Sequence, residues 1–190
     1  MSDIILVLGG ARSGKSSFAE NIVTELGGKD VIYLATAKAK DDEMTDRIAQ
    51  HQADREAEWK TIEEEKAVSS ILKDLAKGSV ILLDCLTLLI SNLLLSGEQS
   101  TDYSKQEELI KNEISNIIEI TKKRKLDLVI VSNEVGQGVV PAYKSGRIYR
   151  DLVGRANQKV AAEADEVYIT YAGIPVEIKE LASKKYGGLK

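Results

Sequence analysis

Residues 9–16 read GGARSGKS, the G-x-x-x-x-G-K-[ST] spacing used for chemistry on nucleoside triphosphates. Gly9 and Gly14 let the backbone turn tightly, so that the amides of Gly10, Ala11, Arg12 and Ser13 can encircle phosphate oxygens. The helix opening near Lys15 points the positive end of its dipole at the same place. Lys15 then reaches the β- and γ-phosphates, and the Ser16 hydroxyl ligates Mg²⁺. An apolar strand pattern at 4–8 precedes the run and a helical pattern follows it, which is the setting the motif needs. The competing reading, a glycine turn beside a solvated lysine, requires neither flank.

Two further residues carry chemistry. Asp84 ends the run VILLD at 80–84, an apolar strand closed by an acid, the pattern that holds a nucleotide's metal directly or through water. A turn or capping aspartate explains that pattern equally well when it stands alone; beside a phosphate loop the metal role is favoured. His51 is the only histidine and falls in a polar helical pattern at 41–58. Arg47, His51 and Arg55 recur at i, i+4 and i+8, with Met44 and Ile48 close to the same stripe. Cations there attract phosphate and disfavour the imidazolium, leaving a neutral ring nitrogen free to attack phosphorus. Spacing alone leaves three readings open for His51: a nucleophile, a phosphate contact, or an inert solvated side chain, the last being commonest.

The elements that must position these residues are legible as alternating patterns. Runs at 4–8, 31–36, 80–84 and 128–132 are rich in leucine and β-branched residues and read as buried parallel strands. Helical patterns lie between them, marked by Phe18, Ile22, Val23 and Leu26, by Val68, Ile71, Leu72 and Leu75, by Leu109, Ile110, Ile114, Ile117, Ile118 and Thr121, and by Ile148, Leu152, Val153, Ala156 and Val160. The alternation predicts an α/β chain with a P-loop NTPase fold, a mostly parallel, doubly wound, RecA-like sheet. Residues 166–170 and 176–178, on either side of Gly173-Ile174-Pro175, predict a closing antiparallel hairpin. Thr36, Asp84 and Asn133 end or follow strands, and ligands of open α/β sheets sit beyond those carboxyl ends. Residues 96–104 are polar and irregular and read as a mobile loop.

With 190 residues, 43% hydrophobic and 29% charged, the chain suits one domain spanning 1–190. A net charge of -4 offers no field for polyanions. The cluster Lys122-Lys123-Arg124-Lys125 ends an amphipathic helix, where cations complement the macrodipole, so no nucleic-acid partner is expected. The single cysteine, Cys85, has no internal disulfide partner. The first residues lack a secretory pattern, and a cytoplasmic protein is expected. The most apolar stretch, 86–95, is broken by Thr87, Ser91 and Asn92 and is far shorter than the roughly 20 residues a bilayer span needs, so no membrane insertion is expected.

Taken together, these motifs resemble the bifunctional adenosylcobinamide kinase and adenosylcobinamide-phosphate guanylyltransferase family of cobalamin biosynthesis. The resemblance runs almost end to end: GGARSGKS at 9–16, YLAT at 33–36, DDEMTDRIAQHQADR at 41–55, WKTIE at 59–63, DCLT at 84–87, VSNEVGQGVVP at 131–141, RIYRDLVGRANQKVAAEAD at 147–165 and GIPVEIK at 173–179. It implies that His51 attacks the α-phosphate of GTP and carries GMP as a phosphoramidate to adenosylcobinamide phosphate. It also implies a kinase step on the aminopropanol hydroxyl of adenosylcobinamide with ATP or GTP, with Lys15 and with Mg²⁺ on Ser16 and Asp84 serving both reactions. Further nucleotide contacts implied are Ala35, Thr36 and Ala37, then Gln52, Ala53, Asp54 and Arg55, and Glu63. Glu63 would otherwise read as part of the solvated acidic run 63–65. Gln52 stands where the family pattern leads one to expect a basic residue. Asn133 and Glu134 read equally well as lining the corrinoid side or as part of a stretch that Gly136, Gly138 and Pro141 merely shape into a loop; a homotrimer is implied by the resemblance.

Two other functions fit the phosphate loop: a monofunctional small-molecule kinase in which His51 only positions phosphate, and a nucleotide-switched interaction protein. The second would be expected to read guanine with an N-K-x-D run, which the chain lacks.

Overall fold

The computed structural model describes residues 3–37, 59–96 and 103–182. Within them β1 (Ile4–Gly9) is buried along its whole length, because both faces of its sheet are covered. Ile4, Leu6 and Leu8 join one core cluster and Ile5 and Val7 the other. The same alternation holds in β4 (Val80–Asp84) and β5 (Asp127–Asn133), so a strand lined on both sides reads as a continuous apolar run.

The sheet has seven strands in the order β3-β2-β4-β5-β1-β6-β7. Besides those already given, the strands are β2 (Val31–Ala35), β3 (Lys60–Glu63), β6 (Glu166–Tyr171) and β7 (Ile174–Glu177). Every pairing is parallel except β6 with β7, as the alternation of patterns predicts. One face is covered by α1 (Lys15–Gly27) together with the buried Trp59, whose Nε1 donates to the Gly28 carbonyl at 3.2 Å. The opposite face takes α2 (Val68–Asp74), α3 (Leu86–Leu94), α4 (Ser104–Arg124) and α5 (Lys144–Glu163). The basic cluster forms the last turn of α4, and Lys125 follows it in the left-handed conformation.

Three details differ from the sequence reading. β3 is an additional parallel strand at the sheet edge, where three of its four residues are exposed and only Ile62 packs. The hairpin turn falls earlier than expected, at Ala172 and Gly173, both with positive φ. That is the two-residue turn whose twist matches antiparallel strands. Pro175 therefore lies inside β7 opposite Thr170, a place an edge strand tolerates. The segment read as a loop to 104 gives way to helix at Ser104; residues 97–102, like the helical pattern at 41–58, lie outside the described residues.

Candidate nucleotide and metal site

The phosphate loop joins the end of β1 to the start of α1. Gly9 pairs with Asn133 in the sheet, and a Cβ on Gly9 would fall 2.3 Å from Ser13 Oγ and 2.9 Å from the Thr170 carbonyl oxygen. Gly14 caps α1 at φ 89° in the left-handed region, a conformation glycine adopts without penalty. Arg12 is also left-handed, at φ 55°, so the chain curls at two points around Ser13. Gly10 faces open space. Lys15 lays its Nζ back across the loop, donating to the Gly10 carbonyl at 3.2 Å.

Asp84 ends a strand two places away from β1 in the sheet. β5 lies between β4 and β1, which separates their backbones by roughly 10 Å at the usual strand spacing. Val80 and Leu82 belong to the cluster under α1. The period-two alternation puts Asp84 on that same face, the side on which Lys15 and Ser16 begin α1. The Asp84 Oδ2 accepts the Tyr33 hydroxyl at 2.8 Å. Next to it, burial and the Asp84 charge push the Cys85 thiol up to about 11, while Lys15 pulls the other way. The Lys15 ammonium is therefore within electrostatic reach of the end of β4.

Thr36 locks the ends of β2 and β4 together. Its N–H donates to the Asp84 carbonyl at 3.0 Å, its hydroxyl donates to the Cys85 carbonyl at 2.8 Å, and the Cys85 N–H donates back to the hydroxyl at 2.9 Å. The Thr36 carbonyl accepts from Asn92 Nδ2 at 2.9 Å. Ala35 stands opposite Asp84 in the ladder and opposite Glu63 on its other side. Glu63 is exposed, as a solvated acid would be, and it ends a strand at the same edge of the sheet as Ala35 and Asp84. Ala37 follows on that edge. His51, Gln52, Ala53, Asp54 and Arg55 lie outside the described residues.

On the other flank, the Glu134 N–H donates to the Gly9 carbonyl at 3.0 Å. A cleft of about 300 Å³ opens between residues 9–13, Glu134, Gln137 and the end of β6. The Asn133 side chain turns toward Thr87, donating to its Oγ1 at 2.9 Å.

The arrangement fits a phosphate chain and its Mg²⁺. Ser13 Oγ and Thr170 Oγ1 are buried without a hydrogen-bond partner, and an orphaned hydroxyl inside the loop is a ready donor for a phosphate oxygen. Among the described residues no three His, Cys, Asp or Glu side chains gather into a metal cage. Mg²⁺ seldom uses such a cage; one or two protein oxygens, waters and substrate phosphates are its usual shell, and Ser16 with Asp84 would supply the protein oxygens. Tyr33 and the Ala172–Gly173 turn went unassigned in the sequence reading. YLAT was visible as a motif, but its tyrosine gains meaning only once β2 is known to lie beside β4.

The chain is similar to known proteins along nearly its whole length. A bifunctional adenosylcobalamin biosynthesis protein CobU from Salmonella typhimurium is 42% identical over 182 residues, covering 93% of this chain and 99% of its own. The bifunctional adenosylcobalamin biosynthesis protein CobP from Pseudomonas aeruginosa is 41% identical over 175 residues, covering 92% and 96%. Among solved structures, an ATPase domain is similar in fold, with a TM-score of 0.50 at 15% identity, over 90% of this chain and 69% of that one. Residues 5–178 match the family profile described as cobinamide kinase / cobinamide phosphate guanyltransferase. A match to that family over residues 5–178, with relatives about 40% identical along nearly their whole length, makes the chain a member of the cobinamide kinase / cobinamide phosphate guanyltransferase family.

Proposed function

We propose that one domain spanning 1–190 catalyses both reactions of its family. It phosphorylates the hydroxyl of adenosylcobinamide with ATP or GTP, and it transfers GMP from GTP to adenosylcobinamide phosphate through a guanylyl group on His51, giving adenosylcobinamide-GDP. What supports this reading is that Lys15 lies back across the 9–16 loop and Asp84 ends β4 at the carboxyl edge, where strand alternation puts it on the face that α1 covers, in a chain of that family.

In the kinase step the acceptor oxygen attacks the γ-phosphorus, and the bond to the β-bridging oxygen breaks with its electron pair leaving on the nucleoside diphosphate. In the transfer step a His51 ring nitrogen bonds to the α-phosphorus and pyrophosphate departs with the electron pair of the broken P–O bond. A phosphate oxygen of the corrinoid then attacks the same phosphorus, and the N–P electron pair returns to the ring. Because the imidazole is a competent leaving group once protonated, the covalent stop retains the transfer potential. Lys15 and the amides of residues 10–14 hold the charge that develops on the phosphate oxygens. Mg²⁺ on Ser16 and Asp84 supplies further charge stabilisation in both reactions.

Ala35, Ala37, Gln52, Ala53, Asp54, Arg55 and Glu63 contact the nucleotide in this reading and Glu134 faces the corrinoid, whereas the buried Thr36, its polar atoms all engaged, and Asn133, turned toward Thr87, act as supports for the strand ends. The cleft beside Glu134 supports that side as the acceptor's approach. A cytoplasmic homotrimer completes the proposal; among the described residues no helix is long and apolar enough to cross a membrane.

The test is the variant His51→Ala assayed for both reactions. GMP transfer is expected to vanish while phosphorylation of adenosylcobinamide persists. Equal loss of both would make the histidine structural.

A further inference from the structure

We propose that Tyr33 is a positioning residue for the metal-side carboxylate, acting through its hydrogen bond to Asp84. The proposal rests on the reading of Asp84 as the carboxylate that holds Mg²⁺.

Four contacts from one strand and the residue after it converge on the end of β4. The Thr36 N–H, hydroxyl donor and hydroxyl acceptor pin the backbone of Asp84 and Cys85, which fixes where the Asp84 side chain starts. The Tyr33 hydroxyl then takes Oδ2 at 2.8 Å, which fixes how the carboxylate is turned. Tyr33 is not the ladder partner of Asp84; it pairs with Leu82, and Ala35 stands opposite Asp84. Alanine is too short to reach the carboxylate. Diagonal neighbours two residues along lie within reach of a long aromatic side chain, and the phenol crosses that gap. Its ring is 2% exposed and packed in the cluster beneath α1, so the hydroxyl has little freedom to leave.

One carboxylate oxygen is thus held by a buried donor, and the other remains for the shell of a cation held with Ser16. Partners that orient a metal ligand in this way commonly account for 10- to 100-fold in metal affinity, about tenfold at the low end.

The experiment measures Mn²⁺ binding by electron paramagnetic resonance to the full chain loaded with a non-hydrolysable GTP analogue. Wild type, Tyr33→Phe and Asp84→Asn are compared, with metal-free binding of the analogue and thermal unfolding measured on each. Tyr33→Phe keeps the ring and its packing and removes only the hydroxyl. The expected result is Mn²⁺ affinity lower by about tenfold in Tyr33→Phe and lower still in Asp84→Asn, with metal-free analogue binding of Tyr33→Phe unchanged and its unfolding temperature lowered by only a few degrees, the cost of one lost hydrogen bond. Wild-type Mn²⁺ affinity in Tyr33→Phe, with Asp84→Asn impaired, overturns the role of Tyr33 and leaves Asp84 as read. Parallel loss of metal-free analogue binding in Tyr33→Phe marks a merely structural hydroxyl and also overturns it. Wild-type affinity in Asp84→Asn removes the reading on which both depend.

Discussion

Gly173 donates its backbone N–H to the Ser13 carbonyl at 2.8 Å, and a Cβ on Gly14 would lie 3.0 Å from the Gly173 Cα. The turn of the C-terminal hairpin is therefore a strut against the phosphate loop, although some 160 residues of chain separate them.

The two glycines in this contact are expected to fail differently. Gly14→Ala must hold φ 89° and also push against the Gly173 backbone, so it distorts the loop. GTP affinity is expected to fall by about tenfold or more, since the loop's aligned donors are the site. Gly173→Ala meets nothing within 4 Å, and its cost is backbone strain of about 1 kcal/mol. A lower unfolding temperature with nearly unchanged GTP affinity is expected for it, both read by calorimetry. Wild-type GTP binding by Gly14→Ala would remove the strut from the description.

Lys15→Ala is expected to lower the kinase and the guanylyl transfer rates together, each by about 100-fold, the scale of losing one preorganised charge-stabilising donor. Assays with γ-labelled ATP and α-labelled GTP separate the two rates. Retention of either at the wild-type level would put that reaction at a different nucleotide site.

Cys85 is buried, and its thiol, pushed up to about 11 from 9.0, stays protonated at pH 8. Maleimide labelling in the folded protein is expected to be slow there and to become rapid on unfolding. Between pH 9 and 11 the folded chain keeps a proton that the unfolded chain releases, so this group makes stability fall as pH rises through that window. The decline of the unfolding temperature should be shallower in Cys85→Ala. Equal slopes would contradict the shift.

The end of β5 depends on a buried amide. Ser132 Oγ donates to Asn157 Oδ1 at 2.7 Å, and both residues are buried. Asn157→Ala strips that hydroxyl of its acceptor and is expected to cost about 2 kcal/mol in urea unfolding. A change below the measurement error would mean that the hydroxyl finds another partner.

The legible parts of the fold are those where one local rule suffices. β1, β4 and β5 are covered on both faces, so their sequences are apolar without interruption. The phosphate loop declares itself through glycines that its tight turns require. β3 was illegible because an edge strand needs only Ile62 to pack and leaves Lys60, Thr61 and Glu63 exposed. Tyr33 was illegible for a different reason: its bond to Asp84 exists only because β2 lies beside β4, and strand order is a property of the whole sheet. The Gly173 contact with the phosphate loop likewise depends on β6 pairing with β1.

The intact mass of the full chain after incubation with GTP and Mg²⁺, followed by removal of free nucleotide, tests most directly whether a triphosphate held on this loop passes its nucleotidyl group to the protein. A gain of one GMP, lost on mild acid treatment, localised to His51 by fragmentation, absent from His51→Ala and formed about 100-fold more slowly in Lys15→Ala, is the expected result. An unmodified mass in wild type under conditions that support turnover of adenosylcobinamide phosphate, or a GMP carried by another side chain, would contradict transfer through His51.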